Sequence, residues 1–238
     1  MMNLNEKIIV VVGGATGIGR ASAALCRERG ATVIIADQAV PADWEAELYG
    51  KVDVTDESSV AELFEYIGRS YNRVDALIQT AGILKGGYLK ADELSLEIFR
   101  QVLDVNMTGT FLCSKYALPL LRKSSRGVMI LFSSIAATIG STSLAYGASK
   151  GGVNGLAITL MNQLAGEGIR VNVVAPGNID TSMKRGAITA DPSLEKSTTA
   201  LENRIAAANL GTAEGVAKIL AWLVSDDADY VRGVITTR

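Results

Sequence analysis

A chain of 238 residues, 48% hydrophobic and 20% charged, has the apolar content for one large core; wholesale disorder is excluded, and a single α/β domain over 1–238 is expected rather than two small ones. The formal net charge is −2 and no basic run is long enough to follow a phosphate backbone, so nucleic acid is not an expected partner. There is no histidine, which excludes Ser-His-Asp hydrolysis and His-ligated zinc, and acid–base work near neutral pH falls to Tyr, Lys, Cys or a carboxylate.

The first predicted strand is Lys7–Val12. Its apolar run, Ile8 to Val12, is too short for a membrane span and leads into glycines without a signal-peptide cleavage pattern, so a cytoplasmic protein without membrane contact is expected. A helix over Gly17 to Glu28 follows, with Ile18, Ala21 and Leu25 at helical spacing. Strands are then predicted at Thr32–Ala36 and Tyr49–Asp53, a helix at Glu57 to Ser70, a strand at Val74–Gln79 and one long helix from Leu96 to Leu121. The strands Gly127–Phe132, Arg170–Ala175 and Val234–Thr236 and the helices Ala145 to Leu164 and Ala213 to Val224 complete the series. Such alternation with near-continuous apolar strands predicts a parallel sheet covered by helices on both faces. Asn178 to Asn209 has no sheet role and reads as a lid. Cys26 and Cys113, in predicted helices, read as small buried hydrophobes.

Between the first strand and helix lies Gly13-Gly14-Ala15-Thr16-Gly17-Ile18-Gly19-Arg20. Glycines there permit a tight turn and let backbone N–H groups approach a pyrophosphate at a helix N-terminus. No Gly-Lys-Ser/Thr follows, so this is not a P-loop. Asp37, about twenty residues on at the end of the second strand, is placed to accept hydrogen bonds from an adenosine ribose. Tyr146 and Lys150, four apart on one helix, share a face. Unit charges ~4 Å apart at an effective dielectric of about 20 interact by roughly 4 kcal/mol. Lowering a Tyr pKa from about 10 to about 7 needs a similar amount, so one lysine, helped by an oxidised nicotinamide, is expected to make Tyr146 an acid/base.

The turn Gly13…Gly17…Gly19, the pair Tyr146-x-x-x-Lys150 and a serine near the end of the fifth strand resemble the short-chain dehydrogenase/reductase family, over nearly the whole chain from Lys7 to Gly233. Val12 stands where the family has Thr, Thr80 where its Asn-Ala-Gly element begins, and the tail Thr236-Thr237-Arg238 departs from its Val-Asp-Gly-Gly-like end. The resemblance implies a Rossmann-like doubly wound sheet of order 3-2-1-4-5-6-7 and hydride transfer between NAD(H), rather than NADP(H), and a secondary alcohol or ketone. It assigns cofactor contacts to Gly13, Thr16, Gly17, Ile18 and Gly19, to Asp37, to Asp53 and Val54 near the adenine, and to Ala81 and Gly82. On the nicotinamide side it assigns Pro176, Gly177, Ile179 and Thr181 together with Tyr146 and Lys150. In the catalytic set Tyr146 is the acid/base, Lys150 lowers its pKa, Asn106 bends a helix and serves a proton relay, and Ser134 holds the substrate oxygen, with Ser133 the alternative because the spacing to Tyr146 is one residue short. A homotetramer or homodimer is implied. The rival readings are a 3-oxoacyl carrier-protein reductase and a dinucleotide-sensing protein without turnover.

Overall fold

The computed structural model describes residues 3–39, 45 and 48–237. Its centre is a seven-stranded, all-parallel sheet of order β3-β2-β1-β4-β5-β6-β7, as the resemblance implied. The strands are β1 (Ile8–Val12), β2 (Thr32–Asp37), β3 (Tyr49–Lys51), β4 (Ala76–Gln79), β5 (Val128–Phe132), β6 (Arg170–Ala175) and β7 (Gly233–Thr236). Every residue of β1, β5 and β6 is buried, because both sheet faces are covered; this is why they read as unbroken apolar runs rather than alternating ones.

Alternation of side chains divides the core in two. Val10, Leu77 and Met129 pack on the face covered by α2 (Glu57–Tyr71), α4 (Gly109–Leu121) and α6 (Leu144–Gln163), where they meet Phe64, Leu112 and Val153. Ile9, Ile78 and Ile130 pack on the other face, under α1 (Gly17–Glu28) and α9 (Ala213–Val224), with Cys26 and Leu220. Both cysteines are buried and unpaired, and burial pushes their thiols up to about 12, so they act as core hydrophobes.

Two expectations are corrected, and one segment gains detail. The helix predicted over Leu96–Leu121 is broken: α3 (Leu96–Leu103) passes into a π-helical turn, Asp104–Thr108, before α4 begins. The Asn178–Asn209 segment, which lies outside the sheet, holds α7 (Ser182–Thr189) and α8 (Thr198–Ala207). The third strand ends at Lys51, which leaves Asp53 in a loop. The short helix α5 (Ala136–Ile139) follows β5. At its root the α7–α8 excursion is closed by a bridge between Ile179 and Gly211, with Asp180 N–H donating to the Gly211 carbonyl and Gly211 N–H to the Asn178 carbonyl, each at 2.8 Å.

From β1 the chain order runs to β2 and β3 on one side and to β4 onward on the other. The carboxyl ends of β1 and β4 therefore open a crevice, the place where doubly wound sheets bind ligands.

Candidate active site

A cavity of about 700 Å³ fills that crevice. Ten of the expected cofactor positions line it: Gly13, Thr16, Gly17 and Ile18 from the glycine turn, Asp37, Asp53 and Val54 at one end, and Ala81, Gly82 and Thr181 toward the other. The turn depends on glycine at two points. Gly13 has φ +81, and a Cβ there would lie 2.4 Å from the Ala81 amide nitrogen. A Cβ on Gly19 would lie 2.2 Å from the Gly13 carbonyl oxygen and 2.5 Å from Thr80 Oγ1. Gly19 therefore lies behind the cavity wall, letting α1 start against β4.

Thr80, standing where the family has asparagine, ties two strand ends together. Its hydroxyl donates to the Val12 carbonyl at 2.8 Å, joining the ends of β4 and β1. α1 begins at Gly17 with no side-chain cap and no acid in its first turn, whereas α2, α3, α6, α7, α8 and α9 are each capped by a side chain. The free N–H groups and dipole of α1 thus suit an anionic group in the cavity.

Asp37 is fixed at the opposite wall. Its Oδ2 accepts from the Ala15 amide at 3.0 Å and its Oδ1 from the Ala39 amide at 3.2 Å. Asp53 is held well below the usual carboxylate range, chiefly by the Thr55 amide and hydroxyl, with a contribution from the Gln38 side chain. An uncapped helix start at Gly17, a glycine cradle and a fixed carboxylate at Asp37 make a donor and acceptor set that fits a dinucleotide.

Tyr146, Lys150, Ser134 and Asn106 come together past the Gly82 end of this cavity. Ser143 caps α6, its Oγ accepting from the Tyr146 amide at 3.2 Å, and so sets the first turn that carries Tyr146. Ser134, not Ser133, is the hydroxyl that acts on the phenol, tending to lower its pKa. Ser133 faces the other way, buried, and donates to the Lys150 carbonyl at 3.0 Å. Ser134 Oγ also accepts from the Ala136 amide at 3.1 Å, which leaves its proton to donate. Ser134 thus meets Tyr146 although the connecting loop is one residue short.

Lys150 is 4% exposed; its ammonium donates to the Phe132 carbonyl at 2.8 Å and lies 5.7 Å from the centre of the Tyr146 ring. The expected depression of the tyrosine pKa by this lysine is corrected here. Burial raises Tyr146 above its ordinary value, Ser134 opposes that only in part, and burial pulls Lys150 down to about 8. Desolvation outweighs the attraction because the ammonium is turned to a strand carbonyl instead of the phenol oxygen.

Asn106 lies in the π-helical turn and is fully buried. Its amide donates to the Ile83 carbonyl and to Ser149 Oγ, both at 2.9 Å, and its oxygen accepts from the Ile83 amide at 2.8 Å. A Cβ on Gly82 would lie 3.2 Å from Asn106 Oδ1 and 3.5 Å from Lys150 Nζ, so both side chains bear on the same stretch after β4. Ser149, Ser143 and the Phe132 carbonyl were not singled out from sequence; only Ser143 carried a signal, as a serine two residues before Ala145 at a predicted helix start.

Of the expected nicotinamide-side residues after β6 only Thr181 lines the cavity; Pro176, Gly177 and Ile179 do not, and the Pro176 carbonyl accepts from the Ile135 amide at 3.1 Å. The bridge to Gly211 uses the Asn178 carbonyl and the Asp180 amide, so Ile179 turns its own N–H and C=O the opposite way. Gly177 joins the two. Thr181 lines the cavity and caps α7, its Oγ1 accepting from the Lys184 amide at 3.3 Å. Among the described residues no group of His, Cys, Asp or Glu is arranged to hold a metal, and no helix is long and apolar enough to cross a membrane.

Strand order, a glycine turn at the switch point and a Ser–Tyr–Lys–Asn cluster beside it define a dinucleotide-dependent oxidoreductase of the short-chain type. The chain belongs to the short-chain dehydrogenase/reductase family. A family model described as "Enoyl-(Acyl carrier protein) reductase" matches residues 13–237. The chain is 37% identical over 240 residues to cis-4-hydroxycyclohexanecarboxylate dehydrogenase of Sinomonas cyclohexanicum, covering 97% of this chain and 94% of that one. It is 35% identical over 246 residues to the 3-oxoacyl-[acyl-carrier-protein] reductase FabG of Thermotoga maritima, covering 98% and 96%. Among solved structures, the aldohexose dehydrogenase of Thermoplasma acidophilum superposes with a TM-score of 0.91 at 28% identity, over 98% of this chain and 93% of that one. Levodione reductase does so with a TM-score of 0.88 at 28% identity, over 98% and 96%. The protein is an oxidoreductase that moves a hydride between a nicotinamide cofactor and an alcohol or ketone.

Proposed function

We propose that the protein is an NAD-dependent dehydrogenase of secondary alcohols carried on a carbon ring, with Tyr146 as its acid/base. The observation that carries this reading is the buried Lys150 ammonium, 5.7 Å from the centre of the Tyr146 ring and close to Gly82, at the end of a cavity that also holds Asp37. The nicotinamide, when bound, accepts or donates the hydride. Tyr146 exchanges the proton of the reacting hydroxyl at its phenol oxygen, and Ser134 holds that oxygen by donating to it. Lys150 binds the nicotinamide ribose. Asn106 keeps the Ile83 backbone and Ser149 in place around it and serves the relay that returns protons to Lys150. Ile179, through its outward N–H and C=O, and Thr181 hold the carboxamide, with Pro176 and Gly177 shaping that wall. A ring-borne alcohol follows from the likeness to the hydroxycyclohexanecarboxylate dehydrogenase and to levodione reductase.

NAD is preferred over NADP because a 2′-phosphate would meet the Asp37 carboxylate. Like charges ~4 Å apart at an effective dielectric of about 20 repel by roughly 4 kcal/mol before screening. Gln38 and Thr16 beside it are neutral, and Arg20 is engaged within the chain and does not line the cavity. Screening leaves about 2–3 kcal/mol, on the order of 100-fold in kcat/KM. Measuring kcat/KM with both cofactors in wild type and Asp37→Ser tests this. Equal use by the wild type, or unchanged discrimination in the variant, would remove Asp37 from the site.

The carrier-protein reductase reading is less favoured, since an acidic carrier needs free cations on the surface. Arg122 is held bidentate by Glu167 at 2.6 and 2.9 Å, and Arg126 lies 3.7 Å from Asp226. We further propose a cytoplasmic homo-oligomer joined through α4 and α6. Phe111 and Ile158 are about half exposed there, and Gly151 and Gly155 leave open space along α6.

A further inference from the structure

The cavity is electrically lopsided. Among its described lining residues three are charged: Asp37 and Asp53 toward one end, and Lys85 in the segment that runs on past Gly82. Lys85 Nζ donates to Gln101 Oε1, a neutral partner, at 3.1 Å, and among the described residues no carboxylate lies within ion-pair distance of it. The nearby acid, Glu97, is occupied by the amide nitrogen of the same Gln101 at 3.3 Å.

Lys85 is also fixed relative to Tyr146. Its carbonyl accepts from Ser143 Oγ at 2.6 Å, and that same oxygen caps the turn of α6 on which Tyr146 sits. Two residues earlier, Asn106 holds both the amide and the carbonyl of Ile83. The stretch from Ile83 to Lys85 is thus tied at both ends to the catalytic residues. A second cation is near. Lys184 follows Met183, which lines the cavity, and is half-buried. Burial pulls its pKa down, and among the described residues it makes no ion pair.

We infer that Lys85 anchors a carboxylate on the substrate, so that the alcohol or ketone handled at Tyr146 is an organic acid. This rests on the reading of the site given above. A carboxylate fits better than a phosphate. A lone ammonium offers one compact point charge, enough for a monoanion, whereas the two charges and fork geometry of a phosphate are better met with an arginine, and among the described residues no arginine lines the cavity.

The test is binding to the NADH-loaded protein, by calorimetry, of two ring compounds that cannot react: cyclohexanecarboxylate and cyclohexanecarboxamide. The wild type should bind the acid more tightly by about ten-fold, the loss typical of one charge-assisted hydrogen bond at a partly open site. Lys85→Met should abolish the preference and Lys85→Arg keep most of it, with circular dichroism reporting that each variant is folded. Equal affinity for acid and amide, binding of neither, or a preference that survives Lys85→Met would overturn the inference. A Lys85-dependent preference in a protein that oxidises no ring alcohol would uphold it while defeating the proposed reaction.

Discussion

At the scale of single residues, the site stands on two groups that burial moves in opposite directions, Tyr146 up and Lys150 down to about 8. Tyr146→Phe keeps the ring and removes the proton. Steady-state kinetics should show kcat lower by about 10²–10⁴, the range of acid/base catalysis, and more than a tenth of wild-type kcat remaining would end the assignment. Lys150 makes a prediction about stability. Its folded pKa of about 8 lies below the ordinary 10.5, so below pH 8 the fold carries a desolvated charge that the unfolded chain hydrates. Between about pH 8 and 10.5 the unfolded chain binds the extra proton, and stability from this group rises with pH. Lys150→Met should therefore be more stable than wild type at pH 7, by about 3 kcal/mol, with the gap closing by pH 10.5. Urea denaturation at the two pH values reads it, and a pH-independent gap would mean that the lysine is not desolvated.

At the scale of elements, the glycine turn is where packing is tightest. Gly19→Ala puts a methyl group within 2.5 Å of both the Gly13 carbonyl oxygen and Thr80 Oγ1, so the start of α1 must move off β4. The expected result is about 1–3 kcal/mol of lost stability, the usual cost of overpacking, together with loss of NADH binding in a fluorescence titration. Normal NADH affinity in the variant would show that the turn yields without cost. This turn was legible in sequence because a tight approach leaves few residue choices. The helix starting at Gly17 and the sheet order were legible for similar reasons: periodicity, a motif and a family likeness pointed the same way. The π-helical turn at Asp104–Thr108 was not, since its cause is tertiary: Asn106 is held by Ile83 and Ser149, neither of them local. The helices α7 and α8 escaped notice because each buries only one residue, Ile188 or Ile205, and so shows little apolar periodicity. The sense of the Tyr146 shift was also missed. Helical spacing places Lys150 on the right face but cannot show that its ammonium is drawn to the Phe132 carbonyl.

At the scale of the whole molecule, two of the helices that cover one sheet face keep apolar side chains in solvent. Phe111 on α4 is 47% exposed and Ile158 on α6 is 51% exposed, while their neighbours Leu112 and Ala157 are buried. The sheet thus satisfies only part of each helix, and a second copy is the expected cover. Light scattering at micromolar concentration should give a mass of two or four chains, and Phe111→Glu with Ile158→Glu should shift it toward one. A monomeric wild type would contradict the proposed assembly.

The bridge between Ile179 and Gly211 bears on how this molecule can change over generations. It fastens both roots of the α7–α8 excursion to each other, so that what lies between them is a cassette with its own socket. Its internal ties, such as Arg185 to Asp180 and to Glu202, stay within the cassette. Residues in it beyond Thr181 can be exchanged, added or deleted at little cost to β6 or α9, while Tyr146, Lys150 and the glycine turn, which lie outside it, stay where they are. Selection can then retune what the enzyme accepts and leave how it reacts untouched.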